Sequence, residues 1–534
     1  MSPGVGGCPR TLADTRPSPH RTAPTSASYE AGNLKEANIL VTQIPVPTSS
    51  EATAHRDRDI LNPATGTVIR SVPDSTPDHV DEAVRAAKEA FESGPWPRLP
   101  RSERARHLLR CADAIEASSE TLFQLETRNN GRPITETKAQ LSRVPEWFRY
   151  NAGLLAAQRD AVLPGDGPYL TYQRRSPLGV CGIITPFNHP LLILARSLSA
   201  ALATGNTVVV KPSEMTPLTT LALVDVLREA GLPEGVVQVV TGGREVGERL
   251  TGHPDIAKIT LTGGTEAGRA AAVATAARFA RVTAELGGKT PIVVFDDIDP
   301  RVAAEGAAFA AFVAAGQSCV AGSRFLVQRG VHDAFVEALS ARAAAIRIGD
   351  PARPDTQLGP LISAVQREKV LRLIDTGVQE GARVAAGGGV PDLPAELGDG
   401  FYVRPTVLAD ATMSMTVAKE EIFGPVAVVV PFDDEDDAIA MANDNRFGLG
   451  AGVWTRDIAR GHRVADRVVA GMVWVNDHHR LEPSLPWGGV RESGAGRDAG
   501  QESFDDFTWV KTVVVRTAAD DVDWYGSPAP GRLN

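Results

Sequence analysis

A cysteine in the run Gly316-Gln317-Ser318-Cys319 follows, by thirty-four positions, a glutamate in the run Glu285-Leu286-Gly287-Gly288-Lys289. A thiol nucleophile with a carboxylate base is a two-part device for opening a carbonyl group. The stretch from Ala303 to Ala315 is rich in alanine and reads as a small-residue helix leading into a glycine break just before the cysteine. That placement predicts a sulfur with little steric cover and a reactive thiolate. The competing reading is bland: most intracellular cysteines are packed core residues, and most glutamates are solvated surface charges. Two more runs weigh against it, Ile184-Thr185-Pro186-Phe187-Asn188-His189-Pro190 and Val210-Lys211-Pro212-Ser213-Glu214.

With these four runs in this order, the chain resembles the NAD(P)-dependent aldehyde dehydrogenase superfamily, in its non-acylating, hydrolytic branch. The similarity extends from Asn62-Pro63-Ala64-Thr65-Gly66 to Lys511-Thr512. The resemblance implies Cys319 as nucleophile, Glu285 as general base, Asn188 as the oxyanion-stabilising amide and Lys211 as an additional polarising charge. An aldehyde cannot give up hydride until its carbon carries a negative oxygen. The implied course is therefore Cys319 addition to a thiohemiacetal, hydride transfer to leave a thioester, and hydrolysis by water that Glu285 deprotonates. Glu285 also argues against the branch that passes the acyl group to coenzyme A, which lacks this base.

Lys211 and Glu214 directly follow a predicted strand, with Pro212 fixing the turn, so both can reach a crevice at the carboxyl edge of a sheet. A carboxylate there accepts ribose hydroxyls and repels a 2'-phosphate, which favours NAD over NADP. Gly243, Gly247 and the run Thr262-Gly263-Gly264 supply backbone that can approach a pyrophosphate at a helix start. Tight turns need the same residues, and the family usually has serine where Gly264 stands. By resemblance, Thr185, Phe187, Ser213, Leu286 and Gly287 complete this side, with Glu421 on the nicotinamide ribose and Phe423 beside the ring. The resemblance places His189, Leu192, Arg196, Ser318, Val320, His479, Leu481 and Trp487 along a substrate tunnel. Many relatives carry aromatics at the first and third of these, so His189 and Arg196 make this tunnel polar. Arg196 reads either as an anchor for a carboxylate-bearing aldehyde or as half of a structural ion pair; the aldehyde itself is unspecified, whether polar, aromatic or acidic.

The elements that must position these groups are legible as periodicity. Val80, Ala83, Val84, Ala87 and Phe91 have helical spacing, and amphipathic helices follow over 101–120 and 142–158. Tyr169 to Arg175 alternates as a strand. Buried strands are then predicted at 180–184, 207–210, 236–240 and 256–261, with a helix over 219–230. A second series has strands at 291–295, 324–327, 426–430 and 472–475 and a helix over 331–347. Short apolar strands alternating with helices predict parallel sheets. The expected α/β fold is a Rossmann-type cofactor domain (56–160 and 178–288) and an α/β catalytic domain (289–490). The resemblance implies that a small β element (161–177 and 491–516) pairs its late strand with the hairpin of a neighbouring subunit, giving a homodimer or homotetramer.

Composition is that of a soluble globular chain: 534 residues, 43% hydrophobic, 22% charged, net charge -10. The acidic balance argues against nucleic acid or an anionic membrane as partner, and no apolar run is long enough to span a bilayer. Cys8, Cys111, Cys181 and Cys319 lack metal-ligand spacing, so neither a metal nor a disulfide framework is expected. Residues 1–55, rich in Pro, Ser, Thr and Ala, read as a disordered extension; a transit peptide is disfavoured by Asp14, Glu30, Glu36 and Glu51, so a cytoplasmic location is expected. Residues 517–534 read as a loose tail. Two rival functions remain: a catalytically silent relative, which would be expected to lose Cys or Glu, and a cofactor-independent thiol esterase, which dependence on NAD would separate.

Overall fold

The strands Val180–Ile184 and Thr207–Lys211 are buried along nearly their whole length. Apart from Thr207 and Lys211 at the two ends of the second, their composition is apolar or small, as a sheet covered by helices on both faces demands. The computed structural model describes residues 57–518 and 525–526. Both expected tails, 1–55 and most of 517–534, therefore lie outside the described residues.

Six strands make the first sheet, in the spatial order Gly494–Ala495, Arg281–Glu285, Ile256–Thr262, Val180–Ile184, Thr207–Lys211, Val237–Val239. All neighbours run parallel except the short Gly494–Ala495 strand. The first strand in sequence, Val180–Ile184, thus lies between the second and the fourth, and the winding reverses beside it. Ligands of such sheets bind outside the strand ends at this reversal. Seven strands make the second sheet, from Arg383–Ala386 at one edge through Val426–Phe432 and Thr290–Val294 to Met472–Val475 at the other. Only the edge strand Arg383–Ala386 is antiparallel. No helix among the described residues is long and apolar enough to cross a membrane.

The late strand corrects one expectation. Thr508–Arg516 pairs antiparallel with Tyr169–Pro177 of its own chain, in register from Thr508 with Pro177 to Arg516 with Tyr169. The extended chain after the helix Gly500–Asp506 is close enough to close the sheet on itself. The residues before it also depart from the expected boundary. Gly494–Ala495 belongs to the first sheet, so the β element is 162–177 with 508–516.

Two helices matter most for the site. Pro190–Ala203 was not read from the sequence, because all of its residues are buried and it lacks an amphipathic stripe. It places Leu192 and Arg196 four residues apart on one face. Pro300–Phe312 starts at an Asp299 cap that accepts the Arg301 N–H, and it buries its alanines against the second sheet. The alanine run was expected to stay helical to Ala315, but the helix ends at Phe312. Ala314, Ala315 and Gly316 then take φ values of 53°, 52° and 70°.

Candidate active site

The carboxyl ends of the first sheet are flush. Ile184 lies opposite both Lys211 and Leu261, and Thr262 lies opposite Glu285. The loop after Ile184 is pinned by Thr185 N–H donating to the Lys211 carbonyl at 3.1 Å. It delivers Asn188, whose side-chain Nδ2 donates to the Gln317 carbonyl at 2.8 Å, two residues before Cys319. The Asn188 carboxamide oxygen finds no hydrogen-bond partner among the described residues.

Cys319 is carried by the left-handed turn. Two consecutive non-glycine residues at positive φ are strained unless their surroundings over-determine them. Here the Glu136 carboxylate accepts the Ala314 N–H at 3.0 Å, Gln317 Nε2 donates to the Ala314 carbonyl at 3.3 Å, and Gln317 Oε1 accepts the Ile362 N–H at 3.0 Å. At Gly316 no other residue fits, since a Cβ would lie 2.1 Å from the Gly424 carbonyl oxygen. The turn holds the sulfur half-buried at the end of a cavity.

The electrostatics around Cys319 oppose loss of its proton. Burial pushes its thiol up to about 12; Arg196 opposes that shift, and the carboxylates of Glu285 and Glu421 add to it. The Cys319 backbone N–H meets its own sulfur. Glu285 ends the strand Arg281–Glu285 and is 2% exposed, with neither carboxyl oxygen partnered among the described residues. Burial holds its carboxyl well above the usual range, against the pull of Arg196. A Cβ at Gly488 would stand 2.8 Å from Glu285 Oε1, so glycine there gives the carboxyl its room.

The cavity has a volume of about 440 Å³ and is lined by Cys319 and by seven of the eight expected tunnel residues: His189, Leu192, Arg196, Ser318, His479, Leu481 and Trp487. Val320 is the exception. It is fully buried behind the wall, with its carbonyl bonded to His478 Nε2 at 2.8 Å. Arg196 forms the ion pair that the sequence left as one of two readings. Its Nε meets Asp498 Oδ2 at 2.7 Å, and both side chains are sealed from water. Its guanidinium also lies over the Trp487 ring, 5.5 Å from the centroid. His189 Nδ1 faces Gln140 Oε1 at 3.1 Å, and that oxygen already accepts from Arg132, so Nδ1 carries the proton. His479 Nε2 meets Ser318 Oγ at 3.1 Å. Burial keeps all three histidines at this end, His189, His478 and His479, below their ordinary range and neutral.

A profile of the aldehyde dehydrogenase family matches residues 50–513. A betaine aldehyde dehydrogenase of Rhizobium leguminosarum is 43% identical over 456 residues, covering 85% of this chain and 93% of that protein. Among solved structures, betaine aldehyde dehydrogenase from Staphylococcus aureus in complex with NAD+ superposes with a TM-score of 0.89 at 35% identity, covering 92% of this chain and 99% of that one. PnpE in complex with nicotinamide adenine dinucleotide superposes at 0.86 with 41% identity, over 88% of this chain and 96% of that one. The chain belongs to the aldehyde dehydrogenase family.

The remaining family positions gather around the strand ends. Lys211 is buried, with Nζ bonded to the Pro212 carbonyl at 3.1 Å and 3.9 Å from Glu214 Oε2; its stem lies against Gly247. Like Asn188 and Glu285, it is not among the residues lining the Cys319 cavity. Its strand end turns it toward Gly247 and Glu214 instead. Ser213 Oγ accepts the Met215 N–H at 3.3 Å, and Gly263 N–H donates to the Glu285 carbonyl at 3.0 Å. Gly243 and Gly264 cap the helices Arg244–Gly252 and Thr265–Ala276. Leu286 N–H and the Gly287 carbonyl are both held by Ser493, at 2.9 and 2.7 Å. From the second sheet's side, Glu421 Oε1 accepts the Gly288 N–H at 2.9 Å. Phe423, at φ 58°, packs edge-to-face on Phe187 with ring centroids 5.7 Å apart.

Sequence reasoning missed Arg132, Glu136 and Gln140, which follow Gly131 and wall the cavity, and Asp498, which fixes Arg196. Nothing in their local sequence marks them, since their role comes from contacts across the fold. Lys289, beside the glycines of the Glu285 run, is a further feature that only the fold shows. It is buried, its Nζ has no hydrogen-bond partner among the described residues, and burial pushes it down to about 7.

Proposed function

We propose that this chain oxidises an aldehyde to the carboxylic acid with NAD, through Cys319 addition and hydrolysis assisted by Glu285. The observation that carries this is the joining of the Asn188 amide to the Cys319 loop at 2.8 Å, at the end of a cavity and beside an unpartnered buried carboxyl. Attack by Cys319 on the aldehyde carbon places negative charge on oxygen. The second Nδ2 hydrogen of Asn188 and the Cys319 backbone N–H are the donors available to it. Glu285 in its ionised form takes a proton from the water that cleaves the thioester.

The crevice fits NAD. A Cβ at Gly264 would meet nothing within 4 Å, which leaves open backbone at a helix start for a pyrophosphate, and Glu214 stands half-exposed beside Lys211 for a ribose. Thr185, Phe187, Ser213, Gly243, Gly247, Gly263, Leu286, Gly287, Glu421 and Phe423 complete the set that would hold it. Bound there, NAD supplies the hydride acceptor. The exposed Leu170, Val510, Val514 and Val515 on the third sheet support a homo-oligomer.

NADH formation across aliphatic, aromatic and acidic aldehydes, with NADP run in parallel, tests this reading. The expected result is NAD-dependent turnover that Cys319→Ala abolishes. Failure of every aldehyde to yield NADH, or undiminished turnover in Cys319→Ala, refutes it.

A further inference from the structure

Trp487 lines the cavity with Trp147 and Phe309, and its face is already taken by a cation of the protein itself. The Arg196 guanidinium sits 5.5 Å from the ring centroid. It cannot swing aside, because Asp498 holds it at 2.7 Å and the two side chains are 3% and 1% exposed. Its side chain lines the same cavity as Cys319, and its charge bears on both Cys319 and Glu285. We propose that this site takes an uncharged or anionic aldehyde and discriminates against one bearing a quaternary ammonium group. The proposal rests on the aldehyde-oxidising reading above and separates this chain from what the names of its betaine aldehyde dehydrogenase relatives suggest.

A quaternary ammonium has no N–H to donate, so a protein recognises it with free aromatic faces and carboxylates. In betaine aldehyde a single methylene separates the ammonium nitrogen from the carbonyl carbon. Once Cys319 bonds to that carbon, the cation is held one methylene away, inside the cavity that the Arg196 guanidinium also lines. Arg196 and Asp498 are neutral as a pair, but it is the guanidinium and not the Asp498 carboxylate that lines the cavity, so an entering cation meets the like charge first, and burying it without a partner is costly. The carboxylates on the lining are Glu136 and Asp477, and both are engaged; Glu285, unpartnered, is off the lining, and burial raises its carboxyl. Glu136 holds the Ala314 N–H and lies 3.7 Å from Arg132, while Asp477 accepts the His478 N–H at 2.8 Å. Arg132, Arg143 and Arg480 line the remaining wall and present donors. An uncharged or anionic aldehyde meets hydrogen-bond donors where a cation meets guanidinium.

The test compares betaine aldehyde with 3,3-dimethylbutanal, which replaces the nitrogen by carbon and keeps the shape. Wild-type kcat/KM is expected to favour the neutral aldehyde at least tenfold; equality or preference for betaine aldehyde overturns the proposal. A second measurement needs no turnover. Protection of Cys319 from iodoacetamide, read by mass spectrometry of its peptide, is compared for choline and 3,3-dimethylbutan-1-ol. The alcohol is expected to protect at a concentration at least tenfold lower, and choline protecting as well or better overturns the proposal. Absence of NADH from every aldehyde would defeat the aldehyde-oxidising reading, and the protection assay would still decide this one. In Arg196→Leu combined with Asp498→Asn, which removes both charges, the preference for the alcohol should narrow several-fold. An unchanged ratio in that folded variant overturns the assignment to Arg196.

Discussion

Gly287→Ala is the sharpest probe of how the two sheets share a cofactor, because its added methyl meets one flexible group and little else. A Cβ at Gly287 would lie 2.6 Å from Glu421 Oε2 and 3.0 Å from both Glu421 Cδ and Oε1. Gly287 is not among the residues at positive φ, so alanine meets no left-handed strain. The carboxylate must therefore retreat by roughly half an ångström or more to reach ordinary contact. That movement breaks its 2.9 Å bond from the Gly288 N–H and withdraws it from the place proposed for the nicotinamide ribose. Hydrogen bonds to a charged group are worth about 1.5–3 kcal/mol, so kcat/KM for NAD should fall roughly 10- to 150-fold. Cys319 alkylation and Tm should change little. The assay is initial NADH rate against NAD at saturating aldehyde, with Glu421→Gln beside it. Unchanged NAD dependence in both variants would show that Glu421 does not hold the cofactor.

Glu285→Gln should keep a burst of NADH near one per site while steady-state turnover falls on the order of 100- to 10,000-fold; loss of the burst would place Glu285 in acylation instead. Cys319 is pushed up to about 12 and the Glu285 carboxyl is also raised, and each acts only after losing its proton. Turnover should therefore rise with pH from about 6 to 9, and a profile falling across that range contradicts the assignment. For Gly306→Ala, a Cβ would stand 2.1 Å from Trp454 Cζ2 in the helix against the second sheet. Overpacking of about 1–3 kcal/mol should outweigh the helix-propensity gain of up to about 1 kcal/mol, and a Tm at or above that of wild type would refute it.

Much of the frame was readable as periodicity. The strand read at 180–184 is Val180–Ile184 and the one read at 426–430 lies within Val426–Phe432, because buried parallel strands must be apolar along their length. Pro190–Ala203 was invisible for the opposite reason: a helix buried on all sides shows no stripe. The alanine run misled at its end, where helix propensity lost to the contacts that hold Ala314 and Ala315 left-handed.

By itself the sequence determined which chemical groups are present and in which local frame: a thiol after a glycine turn, a carboxyl at a strand end, an amide in the loop after another strand. Those features depend on neighbours a few residues away, which is the range over which backbone preference acts. Only the tertiary structure decided their company. Arg196 meets Asp498 302 residues later, the Glu136 carboxylate holds a turn 178 residues away, and Thr508–Arg516 closes on Tyr169–Pro177. Charge state follows burial, and burial is a property of the whole fold. The sequence could therefore name Cys319 and Glu285, while their protonation and the cation over Trp487 waited on the packed molecule.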